Sequence, residues 1–194
     1  MITAMGDVMR EAHKRGWITT RDGNCSLRRK GALRLYITPS GSRKTTIIPE
    51  TIVKIPIFEG KLILNGLNPS GELEMHWLLQ QEDRTRSVLH LHPTYTIAAM
   101  RAGWDLRELS SQFPEVHRYT TVGHNVPILP AISKELAWKT NLNMTEVFPN
   151  ETRFVDIVGQ EQHGVCAIGR HPWDAFEHIE RLEHICQMTL ASGV

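Results

Sequence analysis

Two histidines separated by one residue, His90 and His92, are the side chains whose type and spacing best suit them to do chemistry. They stand in Val88-Leu89-His90-Leu91-His92-Pro93, an apolar run closed by proline, which reads as a short and largely buried strand. Side chains two apart on a strand leave the same face, so both imidazoles aim at one point. Neutral imidazole is a common zinc ligand, and two such groups are half of a metal site. A catalytic zinc takes three protein ligands and keeps one position open. His163 is the best third ligand, because it lies in a turn beside Gly164 where a side chain can leave the sheet surface. On these residues alone the plain alternatives stay open: a hydrogen-bonded histidine pair at a strand end, and a polar turn residue.

Glu72 is the leading carboxylate for acid–base work. It is expected in the first turn of a helix running to about Gln81, with Ser70 as the N-cap. A glutamate there also serves simply to complement the helix dipole. Glu74 points elsewhere, about 200° around the helix. Asn24, Ser40, Gly41 and Ser70 are small polar residues or glycine at strand or helix ends, positions whose N–H and hydroxyl groups can cradle phosphate. Each is also ordinary turn chemistry. Of the remaining histidines, His178 and His184 lie among charges on the last helix and His76 lies inside a helix. His13, His117, His124 and His171 fall at solvent or turn positions.

The elements that must hold these groups follow from periodicity. An opening helix over 3–16 carries Met5, Val8, Met9 and Ala12 on one face and stops at Gly16. Strands dominate the next stretch: Leu33 to Thr38 alternates, Ile47 to Phe58 holds short runs broken by Pro49 and Pro56, and Lys61 to Leu64 is another candidate. Pro93 suits the first turn of a helix through Met100, and the segment from Gly103 to Thr120 reads as mixed and loop-rich. Val126 to Pro130 is an edge-like extended piece, and Ser133 caps a helix. Phe154 to Val158 and Gly164 to Ile168 are two strands joined by a turn. Pro172 opens a final helix with Phe176, Ile179, Leu182 and Ile185 on its apolar stripe and Glu177, Glu180, Arg181 and Glu183 off it. The sum is a mixed α/β domain expected to span residues 1–194.

Composition narrows the class of partner. A net charge of +1 with acids and bases interspersed argues against nucleic acid or an anionic membrane surface. The three cysteines, Cys25, Cys166 and Cys186, are odd in number and lack a CxxC pattern, as expected for reduced thiols. With no transmembrane-length run and no signal-peptide pattern, the expected location is cytoplasmic.

The order of the pieces is more specific than any one of them. Gly23-Asn24-Cys25-Ser26, Ile37-Thr38-Pro39-Ser40-Gly41, Pro69-Ser70-Gly71-Glu72, His90-Leu91-His92 and His163-Gly164 together resemble the class II aldolase/adducin family, from about residue 4 to 190. The resemblance implies a three-layer α/β/α domain around a mostly antiparallel sheet, and a C4-like homotetramer with active sites at subunit boundaries. It implies that His90, His92 and His163 bind Zn2+ and that Glu72 is the acid/base. It assigns substrate phosphate to Asn24, Ser40, Gly41, Ser70 and the Gly71 position. Gly71 stands where sugar-phosphate aldolases of the family carry a second serine, so one hydroxyl is missing and a carboxylate or smaller substrate is an alternative. Cys25 replaces a more usual apolar residue. A tyrosine from a neighbouring subunit protonates the leaving carbonyl in some relatives, and Tyr119 is the candidate by position.

The implied chemistry is aldol-type carbon–carbon cleavage of a small hydroxyketone or sugar phosphate through a zinc-stabilised enediolate. Three neutral imidazoles leave the cation its full charge, and manganese, cobalt or iron are alternatives to zinc. The same enediolate serves epimerisation or the dehydration of a methylthioribulose-type phosphate. A non-catalytic module like the adducin head is the reading from another class, and the three ligand histidines count against it. Purely structural zinc would need a fourth ligand, and the nearby Cys166 is expected inside a strand.

Overall fold

The computed structural model describes every residue except 30, 82–84, 149–150 and 194. In chain order the first strands are β1 (Asn24–Leu27), β2 (Arg34–Ile37), β3 (Val53–Phe58), β4 (Lys61–Leu62) and β5 (Ser87–Leu91). They are followed by β6 (Thr145–Phe148), β7 (Glu151–Phe154), β8 (Ile157–Gln160) and β9 (Gly164–Gly169). The helices are α1 (Ile2–Lys14), α2 (Leu73–Leu79), α3 (Thr94–Arg101), α4 (Leu106–Ser111), α5 (Pro114–His117), α6 (Lys134–Asn143) and α7 (Pro172–Ala191). Seven strands form one sheet in the order β4-β3-β2-β1-β5-β9-β8, antiparallel at every pairing, while β6 and β7 form a separate ribbon.

Period-two alternation divides the core between the two faces of the sheet. Leu89 and Leu91 of β5, with Cys25 and Leu27 of β1, pack beneath Met5, Val8 and Met9 of α1 and Phe176, Ile179 and Leu182 of α7. Val88, Cys166 and Ile168 face the other way, against Met75 and Leu79 of α2 and Leu136 and Ala137 of α6. The result is the expected three-layer α/β/α domain with an antiparallel sheet. All five residues of β5 are buried, as a strand covered on both faces requires. Each such apolar side chain contributes roughly 1.5–3 kcal/mol by leaving water.

Several elements depart from the sequence expectation. Gly103 to Thr120 is not mainly loop: α4 and α5 occupy it, the first capped by Asp105, which accepts from Arg107 N and Glu108 N. Phe154 to Val158 is not one strand, because β7 ends at Phe154 and β8 begins at Ile157. Asp156 marks the break, its carboxylate accepting from Thr121 N at 2.8 Å. Glu183 is not on a solvated face. Its carboxylate is buried and accepts from Tyr95 N at 3.0 Å and Thr96 N at 2.7 Å, closing the start of α3 from across the layer. That bond satisfies orphan helix-end donors directly after the His92-Pro93 turn. Ser133 does cap α6, accepting from Leu136 N at 3.0 Å. All three cysteines are free and buried.

Candidate metal centre and anion cradle

Strand register assembles the site. Asn24 of β1 sits opposite His90 of β5, and His90 sits opposite Cys166 of β9. Asn24, Ser26 and His90 therefore share the face of the sheet covered by α2. His92 lies one residue beyond β5 and leaves on the same side, its N–H held by Trp17 O at 3.0 Å. His163 ends the turn between β8 and β9, with its N–H donating to Gln160 O at 3.0 Å. One ring nitrogen from each of His90, His92 and His163 lies within 4.8 Å of the others. Gly164 makes this convergence possible: a Cβ there would lie 2.4 Å from Leu91 O and 2.8 Å from His92 Cδ2.

The donor chemistry fits a divalent cation. His90 Nδ1 donates to Val165 O at 3.0 Å, which leaves Nε2 as a lone pair aimed at the cluster. His92 Nε2 stands 2.9 Å from His90 Nε2. Burial, then the neighbouring imidazoles, push His90 well below the usual imidazole range. Burial and His163 lower His92 too, against the pull of Asp22 and Glu72. Both rings are thus held neutral, the form that ligates metal. Glu72 completes the group, with Oε2 3.5 Å from His90 Nε2 and Oε1 3.8 Å from His163 Nε2. Oε1 is buried and has no hydrogen-bond partner, an acceptor oxygen open to a cation or a proton.

Glu72 does not sit in the first turn as expected. It occupies the N-cap position of α2, with φ −88° and ψ 18°, and Ser70 Oγ accepts the Glu72 N–H at 3.3 Å. That backbone, one residue outside the helix, turns the carboxylate toward the histidines. Asn24 also differs from expectation, since its side chain faces Glu72 and its Nδ2 donates to Oε2 at 2.8 Å.

Beside the histidines opens a cleft of about 230 Å³ lined by Asn24, Ser40, Gly41, Ser70, Gly71 and Glu72. The structure thus brings together every expected site residue except Tyr119. Tyr119 is exposed and lines a different surface cavity with Asp156, His178 and Arg181. Two cations that the sequence reading missed, Arg21 and Lys44, also line the cleft. Lys44 is buried and donates Nζ to Arg21 O at 2.9 Å and Ser42 O at 3.1 Å, which leaves one N–H for a ligand. Burial lowers its ammonium below the ordinary lysine range, partly offset by Asp22. The missed signal was a lysine four residues beyond Ser40, at the start of a short 3-10 turn (Lys44–Thr46) held against Thr20 and Arg21. Ile132 lines the cleft as well, in a left-handed conformation with φ 63°, and a Cβ on Gly71 would meet its Cδ1 at 3.1 Å.

The profile of the family described as Class II Aldolase and Adducin N-terminal domain matches residues 3–190. The chain belongs to that family. As such it is an enzyme of the class II aldolase type. It is 22% identical over 200 residues to a methylthioribulose-1-phosphate dehydratase of Persephonella marina, covering 95% of this chain and 86% of that one. Among solved structures it is similar to L-fuculose-1-phosphate aldolase from Thermus thermophilus. That comparison has TM-score 0.77 and 23% identity, and covers 98% of this chain and 93% of the other. A sugar-phosphate aldolase from Thermotoga maritima gives TM-score 0.79 at 20% identity, over 98% and 93% of the two chains. Among the described residues, no helix is long and apolar enough to cross a membrane.

Proposed function

We propose that this protein is a zinc-dependent lyase acting on a small phosphorylated ketose, with aldol-type carbon–carbon cleavage as its reaction. The observation that carries the reading is the convergence of His90, His92 and His163 beside the unpartnered Glu72 Oε1, at the mouth of a cleft containing Lys44. His90, His92 and His163 would hold the cation, which supplies Lewis-acid polarisation of a carbonyl and stabilises negative charge beside it. Glu72 acts as the proton shuttle. Asn24 holds its Oε2, so Oε1 is the oxygen that takes and returns the substrate's proton.

The anion end follows from charge. Lys44 offers its remaining N–H, and Arg21 lies beside it with Nη1 donating to Gly41 O. These cations, together with the Ser40 and Ser70 hydroxyls, compensate for the hydroxyl that Gly71 lacks, so phosphate is favoured over a smaller anion. We further propose that the protein works as a homotetramer in the cytoplasm. Tyr119 from a neighbouring copy then accepts the proton of the hydroxyl that becomes the leaving carbonyl, while Glu72 delivers a proton to the enediolate carbon. Exposure of Tyr119 on each copy, remote from its own histidines, supports that role.

A second reading, dehydration of a methylthioribulose-type phosphate, is favoured by the near full-length similarity to proteins bearing that name. It uses the same groups, with Glu72 moving the proton and a hydroxide lost as water instead of a carbon fragment. Zinc-loaded protein offered L-fuculose 1-phosphate and methylthioribulose 1-phosphate decides between them. Release of an aldehyde with dihydroxyacetone phosphate supports cleavage, and loss of water alone supports dehydration. Turnover of neither by wild type, or full turnover by Glu72→Gln, overturns the assignment.

A further inference from the structure

Glu72 and the four side chains behind it form one chain of hydrogen bonds whose direction is set at both ends. Gln80 Nε2 lies 3.3 Å from Arg86 O and 3.0 Å from Ser26 Oγ. The Arg86 carbonyl only accepts, so this end of Gln80 is the nitrogen, and it donates to Ser26 Oγ. Ser26 Oγ lies 2.7 Å from His76 Nδ1, and its own proton goes there. His76 Nε2 meets Asn24 Oδ1, and Asn24 Nδ2 donates to Glu72 Oε2 at 2.8 Å. A carboxylate accepts only, so the Asn24 amide must show its NH2 to Glu72 and its oxygen to His76. His76 must then carry its proton on Nε2 and keep Nδ1 free for Ser26. Every donor and acceptor along the chain agrees with one tautomer.

We infer that His76 is a positioning residue: its Nε2–H holds the Asn24 amide in the orientation that turns N–H, not oxygen, toward the catalytic carboxylate. With the amide reversed, two oxygens would face each other and Glu72 would swing from its place beside His90 and His163. The inference rests on the acid–base role proposed for Glu72. His76 belongs neither to the cluster nor to the cleft lining, and its hydrogen bond toward the site runs through Asn24. The ring is fully buried, so water does not compete for either nitrogen. Burial pushes it down to about 4, against the pull of Glu72, which keeps it neutral at pH 7. The inward turn of α2 over β1 supplies the geometry, since His76 follows Glu72 by one helical turn and lands above Asn24 and Ser26.

Two variants test it. His76→Gln keeps a donor of similar reach, while His76→Leu keeps bulk and removes it. The first readout is the 15N NMR signal of the Asn24 side-chain amide in metal-free protein. A single, slowly exchanging pair is expected in wild type and His76→Gln, and its loss in His76→Leu. The second is turnover of zinc-loaded protein on the ketose phosphate that wild type accepts. There kcat should fall roughly 10–100-fold in His76→Leu, KM should stay within about threefold, and His76→Gln should recover most of the rate. An unchanged amide in His76→Leu, or a His76→Gln as slow as His76→Leu, overturns the inference. Should wild type turn over none of the ketose phosphates, the functional reading falls, and the amide signal alone decides the role of His76. Should His76→Leu fail to fold, Ser26→Ala probes the preceding link: faster amide exchange supports the inference, and unchanged exchange overturns it.

Discussion

The histidine wall of the cleft is built on the central strand β5 and its end, with His163 in the β8–β9 turn, whereas the anion wall is carried by loops. His90 lies on a strand buried on both faces and paired on both edges, and its Nδ1 is held by the Val165 carbonyl at 3.0 Å. The opposite wall joins two connections by main-chain bonds, Ser40 N to Asn68 O at 3.1 Å and Ser70 N to Thr38 O at 3.0 Å. Lys44 then stitches the Arg21 and Ser42 carbonyls together. A core strand cannot change without disturbing its neighbours, while a loop can exchange side chains at small cost. Under the proposed function, the wall that performs the reaction is therefore the more rigid one, and the wall that selects the substrate can vary. Gly71 and Ile132, the departure from the family pattern and its apolar neighbour, both belong to the second wall.

The sharpest way to break that contrast is to remove Glu72. Glu72→Gln should keep its metal and lose roughly 100- to 10,000-fold in kcat, measured with saturating ketose phosphate. On the loop wall, Lys44→Met should raise KM for a phosphorylated substrate roughly 10- to 100-fold with a smaller change in kcat. An unphosphorylated analogue should lose little. If kcat collapses instead, Lys44 supports the chemistry and the two walls are not separable.

Stability against pH probes the rigid wall without a substrate. The His76 imidazole is lowered from 6.5 to about 4 in the folded chain, by burial and despite Glu72. Between those values the unfolded chain binds more protons, so stability falls as pH drops from about 6.5 toward 4. Urea unfolding of metal-free protein should lose on the order of 2 kcal/mol from this group between pH 7 and pH 5. His76→Gln should lack that component, and equal slopes in both proteins would remove it. The smallest effect is expected from Gly71→Ser. Its Cβ would lie 3.1 Å from an exposed Ile132 side chain that can move, so a change of only a few-fold in KM for phosphate is expected. Combining it with Ile132→Ala should convert that change into a gain in affinity.

What the sequence made legible was local or periodic. His90 and His92 share a face because strand alternation says so, and the opening and closing helices announced their apolar stripes. The layers followed from the resemblance, and the sheet order bears them out. What stayed hidden depended on contacts between distant segments. His76 looked like any helical polar residue until α2 was laid over Asn24 and Ser26. Lys44 gave no signal of its own until its loop closed on Arg21, and Glu183 looked like surface charge until α3 was docked beneath it. Buried polar groups acquire meaning only from their partners, and for His76 and Glu183 those partners lie 50 to 88 positions away along the chain.

Three imidazoles from two remote segments are proposed to hold one divalent cation while Glu72 stays free for protons. Metal content by elemental analysis, on protein loaded with zinc and dialysed, tests it most directly. One ion per chain is predicted for wild type and for Glu72→Gln, and close to none for His163→Ala. A His163→Ala protein that keeps a full complement of zinc would contradict it.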